Sequence, residues 1–165
     1  MNIAGKLAVV AALIALGACS NVTNPIGGGA GGAGGIGGDA SNPTSPAYFQ
    51  QVVGDRVLFE VDQSSLTSTA QSILQGQADW MIANPSYTAI IQGHADEQGT
   101  REYNLALGAR RANAVREFLI ERGIAGNRLQ VVSFGKERPL EICSAESCYA
   151  QNRRAVTVLA SDLTG

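Results

Sequence analysis

The chain has 165 residues, with 12 Lys and Arg against 14 Asp and Glu, a formal charge of −2, three cysteines and one histidine. This balance offers no basic stripe of the kind nucleic-acid partners use. A lone histidine also argues against a paired-histidine metal site.

Met1 to Ala18 reads as a signal peptide, with Lys6 ahead of an apolar run from Leu7 to Leu16. That run is too short for a permanent membrane span, and no second one follows it. It ends in Leu16-Gly17-Ala18-Cys19, which resembles a lipobox. An ordinary secretory leader with an incidental cysteine is the alternative. The Cys19 thiol can take a diacylglycerol, and two acyl chains already hold a protein stably on a membrane. Ser20 follows the cysteine where aspartate would resemble an inner-membrane retention signal. The expected location is therefore the periplasmic face of the outer membrane, lipid-anchored.

Residues 19–47 read as a tether. Nine of the twelve residues from Gly27 to Gly38 are glycine, which maximises the entropy lost on ordering. Such a segment has a root-mean-square span of roughly 30 Å and a full extension approaching ~100 Å. Residues 48–165 are enough for one small domain.

Within that domain, residues 57–62 alternate partly and predict a strand ending at Asp62. Apolar positions from Leu66 to Ile82 keep helical spacing until Asn84-Pro85 stops them. Thr88 to Gly93 is rich in β-formers. A long helix is predicted from Arg101 to Arg122, with Gly123 suited to a left-handed helix end. Gly126-Asn127 turns the chain into a strand from Arg128 to Phe134. A loop with Pro139 follows, then a short helix from about Ser147 and a last strand from Ala155 to Ala160. This order predicts an α+β fold, a two-layer sandwich with helices packed on one face of a mixed four-stranded sheet. Cys143 and Cys148 have four residues between them. In an oxidising compartment they are expected to form a disulfide; a metal site is the alternative, but the only histidine is far away in sequence.

The unusual residue is Arg111. On the helical wheel it lies within roughly 80° of Leu107, Ala114, Val115, Phe118 and Leu119. A guanidinium in a core-facing arc needs a carboxylate and several acceptors. Either the protein supplies them, through Asp96 or the C-terminus of a neighbouring element, or a ligand does.

The stretch from Gly93 to Val115, GHADxxGTxxYNxxLGxRRAxAV, with SxGxxxP after it and QNRR later, resembles the OmpA-like C-terminal domain family. The match spans about Arg56 to Leu159. The resemblance implies the same fold and a non-catalytic site for peptidoglycan, with no cofactor. In the family an aspartate and an arginine grip the free amino-acid end of diaminopimelate in the stem peptide; these correspond to Asp96 and Arg111. Asp62 matches a further ligand-contacting aspartate and Leu107 an apolar wall. The resemblance also places Arg153 near the site, though a solvated basic edge at Arg153-Arg154 is an equal reading. In the lipid-anchored branch it implies a Tol system and a TolB-like β-propeller partner that competes for the wall site.

The zwitterion accounts for the pairing. One carbon carries an ammonium and a carboxylate, so an acceptor and a forked donor must face one pocket. Backbone N–H groups of the Gly99-Thr100 turn add candidate anion donors. Thr100 is a ligand or, more simply, the helix N-cap. Asn104 orients pocket groups or caps loop carbonyls. His94 is expected to be a packed histidine bonded to the neighbouring turn. A serine or thiol hydrolase would need His94 as base, and the glycine run lacks the lysine and strand of a P-loop. Asp62 and Asp96 imitate the carboxylate pair of a glycan hydrolase. A structural OmpA-like lipoprotein of a secretion or motility assembly would present the same pocket.

Overall fold

The computed structural model describes residues 39–161. The signal peptide, Cys19 and the glycine run lie outside the described residues.

The first element corrects the expected tether boundary. Ser45 accepts a 3.1 Å hydrogen bond from the Tyr48 amide and caps a short helix, α1 (Pro46–Tyr48), which continues as a wider turn over Phe49–Gly54. Proline at the first helical position is pre-set for this geometry. Segment 39–47 is therefore folded, because Phe49 carries it into the core. Phe49 is fully buried, its ring 5.0 Å from that of Trp80, and the Trp80 indole N–H donates to the Pro43 carbonyl at 2.7 Å.

The sheet has the order β1-β4-β2-β3, from β1 (Arg56–Leu58), β2 (Tyr87–His94), β3 (Leu129–Gly135) and β4 (Arg154–Ser161). β2 runs parallel to β3 and antiparallel to β4, and β4 is antiparallel to β1, so the sheet is mixed as expected. The helices α2 (Ser68–Ala83) and α3 (Arg101–Glu121) pack on it around a core of Leu74, Met81, Ile91, Val115 and Leu119. Burying side chains of this size stabilises the fold by roughly 1.5–3 kcal/mol each. A fourth helix, α4 (Glu146–Asn152), precedes β4.

β1 is shorter than predicted. It ends at Leu58, and Asp62 sits beyond it in a turn with φ 57°, a left-handed conformation that aspartate tolerates better than most residues. Helix ends follow the sequence signals closely. The Thr67 hydroxyl caps α2 by accepting from Ala70 at 3.1 Å, and Gly123 ends α3 with φ 100°.

One close approach positions the site. A Cβ on Gly93 of β2 would lie 2.6 Å from the Gly108 carbonyl carbon, and a Cβ on Gly108 of α3 would lie 2.9 Å from the Gly93 oxygen. Only a glycine pair lets α3 sit so tightly on β2. Leu107 and Arg111 are thereby set beside the end of β2, where the chain turns into Asp96.

Candidate functional site

Arg111 is fully buried, and its partner is neither Asp96 nor a ligand-facing opening. Its Nε donates to the Gln63 carbonyl at 2.8 Å, Nη1 to the His94 carbonyl at 2.8 Å and Nη2 to the Glu60 carbonyl at 3.2 Å. The expectation of an inward guanidinium awaiting an outside guest is corrected in this respect. Two backbone segments, the turn at residues 60–63 and the end of β2, have been folded around it. A guanidinium has five N–H donors, so one on each terminal nitrogen remains after these bonds. Burial pulls its pKa down to about 10, opposed by the nearby Asp96 carboxylate and reinforced by Arg153; it stays charged at neutral pH. Its charge also lies 5.2 Å over the Phe59 ring.

Directly beside it lies a cavity of about 230 Å³. Its walls include Asp62, Asp96, Gly99, Tyr103, Asn104 and Leu107. Of the residues singled out in the sequence, Asp62, Asp96, Asn104 and Leu107 are thus brought to one opening, while Arg111 is not among its walls and its carbonyl partners Glu60 and Gln63 flank Asp62 in the chain. Asp96 is 9% exposed. One of its oxygens accepts from the Gln98 amide at 3.1 Å and the other from Arg153 Nη1 at 3.2 Å. The Asn104 amide donates to the Gln98 carbonyl at 2.8 Å, so this side chain both lines the cavity and secures the turn. Thr100 is the N-cap of α3, accepting from the Tyr103 amide at 3.2 Å, and does not line the opening.

Tyr103 was not singled out in the sequence. Its hydroxyl donates to the Asp62 carboxylate, which pushes the phenol pKa up, and Arg110 lies 5.8 Å from its ring centre. The signal was present in the YN pair of the motif, but helical periodicity gave no reason to prefer it to any exposed aromatic.

Arg153 and Arg154 are 4% and 7% exposed, so the solvated basic edge is ruled out. Arg153 does not line the small cavity. It donates to the Phe59 carbonyl at 3.2 Å, to Asp96, and to Glu146 at 2.5 Å. It borders a second, larger cavity of about 670 Å³ along β1, where Leu58, Ile73 and Ala150 are among the walls. Cys143 and Cys148 are disulfide-bonded, with 5.9 Å between their Cα atoms.

His94 is packed as expected, with its ring centre 5.4 Å from that of Phe134. Its Nδ1 has no hydrogen-bond partner, while the ring is hydrogen-bonded to the backbone of Arg138 in the turn after β3. Burial pushes its pKa from 6.5 down to about 4, and the cationic Arg154 and Arg138 push the same way. Among the described residues no group of three or more His, Cys, Asp or Glu is placed to hold a metal ion, and no helix is long and apolar enough to cross a membrane.

A four-stranded mixed sheet under two helices, with an acidic pocket at the β2–α3 turn, defines an open α+β sandwich with a small site at one end of the sheet. The sequence profile of the OmpA family matches residues 58–153, and the chain belongs to that family. Its members of this type are structural and non-catalytic. The chain is similar to the peptidoglycan-associated lipoprotein of Rhizobium meliloti (strain 1021), 53% identical over 119 residues, which cover 72% of this chain and 68% of that one. It is 36% identical to the Haemophilus influenzae protein of the same name over 151 residues, covering 92% and 94% of the two chains. The crystal structure of the peptidoglycan-associated lipoprotein from Burkholderia pseudomallei matches with a TM-score of 0.65 and 40% identity, covering 74% of this chain and 100% of that one.

Proposed function

We propose that this protein is a non-catalytic lipoprotein of the Pal type that ties the outer membrane to the cell wall. In this reading Cys19 carries the acyl chains, the glycine-rich tether spans the gap, and the folded domain grips peptidoglycan at the diaminopimelate of a stem peptide. The observation that carries the reading is the small cavity with Asp62 and Asp96 in its walls and the Arg111 charge within electrostatic reach of both. It is supported by the family match and by relatives that bear the name peptidoglycan-associated lipoprotein.

The ammonium of the ligand goes to Asp96, with Asp62 contributing a second carboxylate. The ligand carboxylate is drawn by the field of the buried Arg111 charge, which acts through the wall without touching the ligand. Each grip is weak, and many copies on one membrane sheet make the joined layers stable through effective concentration. A Tol system, a role in envelope integrity and cell division, and a TolB-like β-propeller partner that competes for the cavity complete the reading.

The decisive experiment is sedimentation of the purified mature domain with isolated peptidoglycan sacculi. Wild type is expected to co-sediment and Asp96→Ala to stay in solution, with unchanged circular dichroism. Equal sedimentation of the two proteins would remove Asp96 from the site. Competition is tested separately: a TolB-like protein that binds the domain undiminished while stem-peptide fragments saturate the cavity would contradict the overlap.

A further inference from the structure

The α4 region is tied to the turn after β2 through two residues at its end, Arg153 and Asn152. Arg153, which follows α4, has its guanidinium between two carboxylates. Nη1 lies 3.2 Å from Asp96 in the cavity wall, and Nη2 lies 2.5 Å from Glu146 at the start of α4. The Arg153 side chain is 5% exposed and that of Glu146 is 64% exposed. Asn152, fully buried, makes the second tie. Its amide donates to Glu97 at 2.9 Å and to the Glu141 carbonyl at 2.8 Å, while its oxygen accepts from the Leu140 and Glu141 amides at 2.7 and 3.0 Å. Neighbouring residues of that turn, Asp96 and Glu97, are thus each held from the end of α4.

The disulfide closes this unit. Glu146 lies inside the ring made by Cys143 and Cys148, and Asn152 fixes the chain just before the ring. An exposed glutamate on a free loop gives an ion pair little worth in water, because ordering a long side chain cancels most of the attraction. A short covalent ring limits the backbone positions Glu146 can visit before the pair forms, so less order has to be imposed.

We propose that the Cys143–Cys148 ring, Glu146 and Arg153 form a clamp that positions the Asp96 carboxylate for the ammonium of a zwitterionic amino-acid ligand. This rests on the binding role proposed above. Arg153 is a positioning residue that acts through Asp96 and does not touch the ligand. With Gln98 holding one Asp96 oxygen and Arg153 the other, the carboxylate is fixed through both oxygens in the cavity wall. The clamp therefore sets selectivity for the ammonium-bearing end rather than overall adhesion.

The test uses the mature domain and two probes: the tripeptide L-Ala-γ-D-Glu-meso-diaminopimelate, and the same tripeptide built with 2-aminopimelate, which lacks the ammonium at the free end. Calorimetry on wild type is expected to show a preference of about tenfold or more for the first probe, the worth of one charge-assisted hydrogen bond. Glu146→Ala is expected to cut that preference to about threefold or less while leaving affinity for the second probe unchanged. Cys143→Ser/Cys148→Ser, which opens the ring but keeps Glu146, should shift the preference in the same direction by less. A full wild-type preference in Glu146→Ala overturns the clamp. A full preference in the opened ring removes the disulfide from it.

Hydrogen exchange of the Gln98 amide gives a readout without ligand. It should quicken severalfold in Glu146→Ala, with the α3 core amides unchanged; uniform quickening would mean a general loss of stability and would also overturn the proposal. If wild type binds neither probe, the binding role itself fails and the clamp with it. Wild-type binding together with an unaltered variant fails the clamp alone.

Discussion

On either side of the Asp96 turn an arginine is held, and the two are held in opposite ways. On the α3 side, Arg111 is fixed by three backbone carbonyls from residues 60, 63 and 94. On the α4 side, Arg153 is held chiefly by two carboxylates, one buried and one exposed. Carbonyls belong to the main chain, so the Arg111 shell is part of the fold and its loss is felt by every segment it joins. Carboxylates belong to side chains and can be removed singly. The α4 side is therefore where binding can be altered without unfolding, and the α3 side is where it cannot.

The strongest way to break the α3 side is Gly93→Ala, whose added carbon would fall on the Gly108 carbonyl. Backbone meets backbone there, so neither side can yield by a rotamer change. We expect a loss of roughly 3 kcal/mol or more, or failure to fold, measured by urea unfolding. Arg111→Ala comes next, leaving buried carbonyls without donors and a void. A loss of about 3 kcal/mol is expected in the same assay, so reduced wall binding in that variant has to be read beside its stability. Arg111→Lys keeps the charge but not the fork and should fall between the two proteins.

Asp96→Ala sharpens the comparison, because Arg111 does not depend on Asp96 for its hydrogen bonds. Sedimentation with sacculi should drop about tenfold or more, while the unfolding midpoint moves little. A collapse of the fold in this variant would mean that the Asp96–Arg153 pair is structural after all.

Acid tests a third buried base. His94 has its pKa lowered from 6.5 to about 4, so between those values the unfolded chain takes up a proton that the folded chain refuses. Stability should fall as pH drops through this window, by no more than about 3 kcal/mol, and the loss should be complete below pH 4. His94→Gln should flatten that limb of a stability–pH curve; an unchanged slope would assign the effect to carboxylates. The smallest expected change is on the α4 side. Reducing the Cys143–Cys148 bond should cost about 2 kcal/mol of stability by the loop-entropy argument, read as a modest shift in thermal midpoint.

Much of this was legible in the chain. Helical spacing located α2 and α3 to within a few residues, and the ends of α3 at Thr100 and Gly123 lie where polar and glycine signals fell, whereas the Thr67 cap of α2 was not singled out. Asp62, Asp96 and Leu107, taken from the family resemblance, and Asn104, taken from the helical wheel, all line one cavity. The Ser45-Pro46 start of α1 was also written in the sequence, as an N-cap followed by proline. That signal is masked because a glycine-rich stretch lies close before it and no apolar period follows. The Glu146 side of the grip on Arg153 is local, seven residues apart across α4, but the Asp96 side comes from a turn 57 residues away and had no local sign.

By itself the sequence determined the elements, their order and the family, because period, caps and turn residues act over a few neighbours. It also marked Arg111 as a charge needing partners, since burial of a guanidinium is costly wherever it occurs. Which partners it took was decided only by tertiary structure. The close contact of Gly93 with Gly108 seats α3 on β2, and the turn after β1 then brings the Glu60 and Gln63 carbonyls over the guanidinium. Long-range contacts of this kind depend on how whole elements dock, and no window of sequence carries that distance.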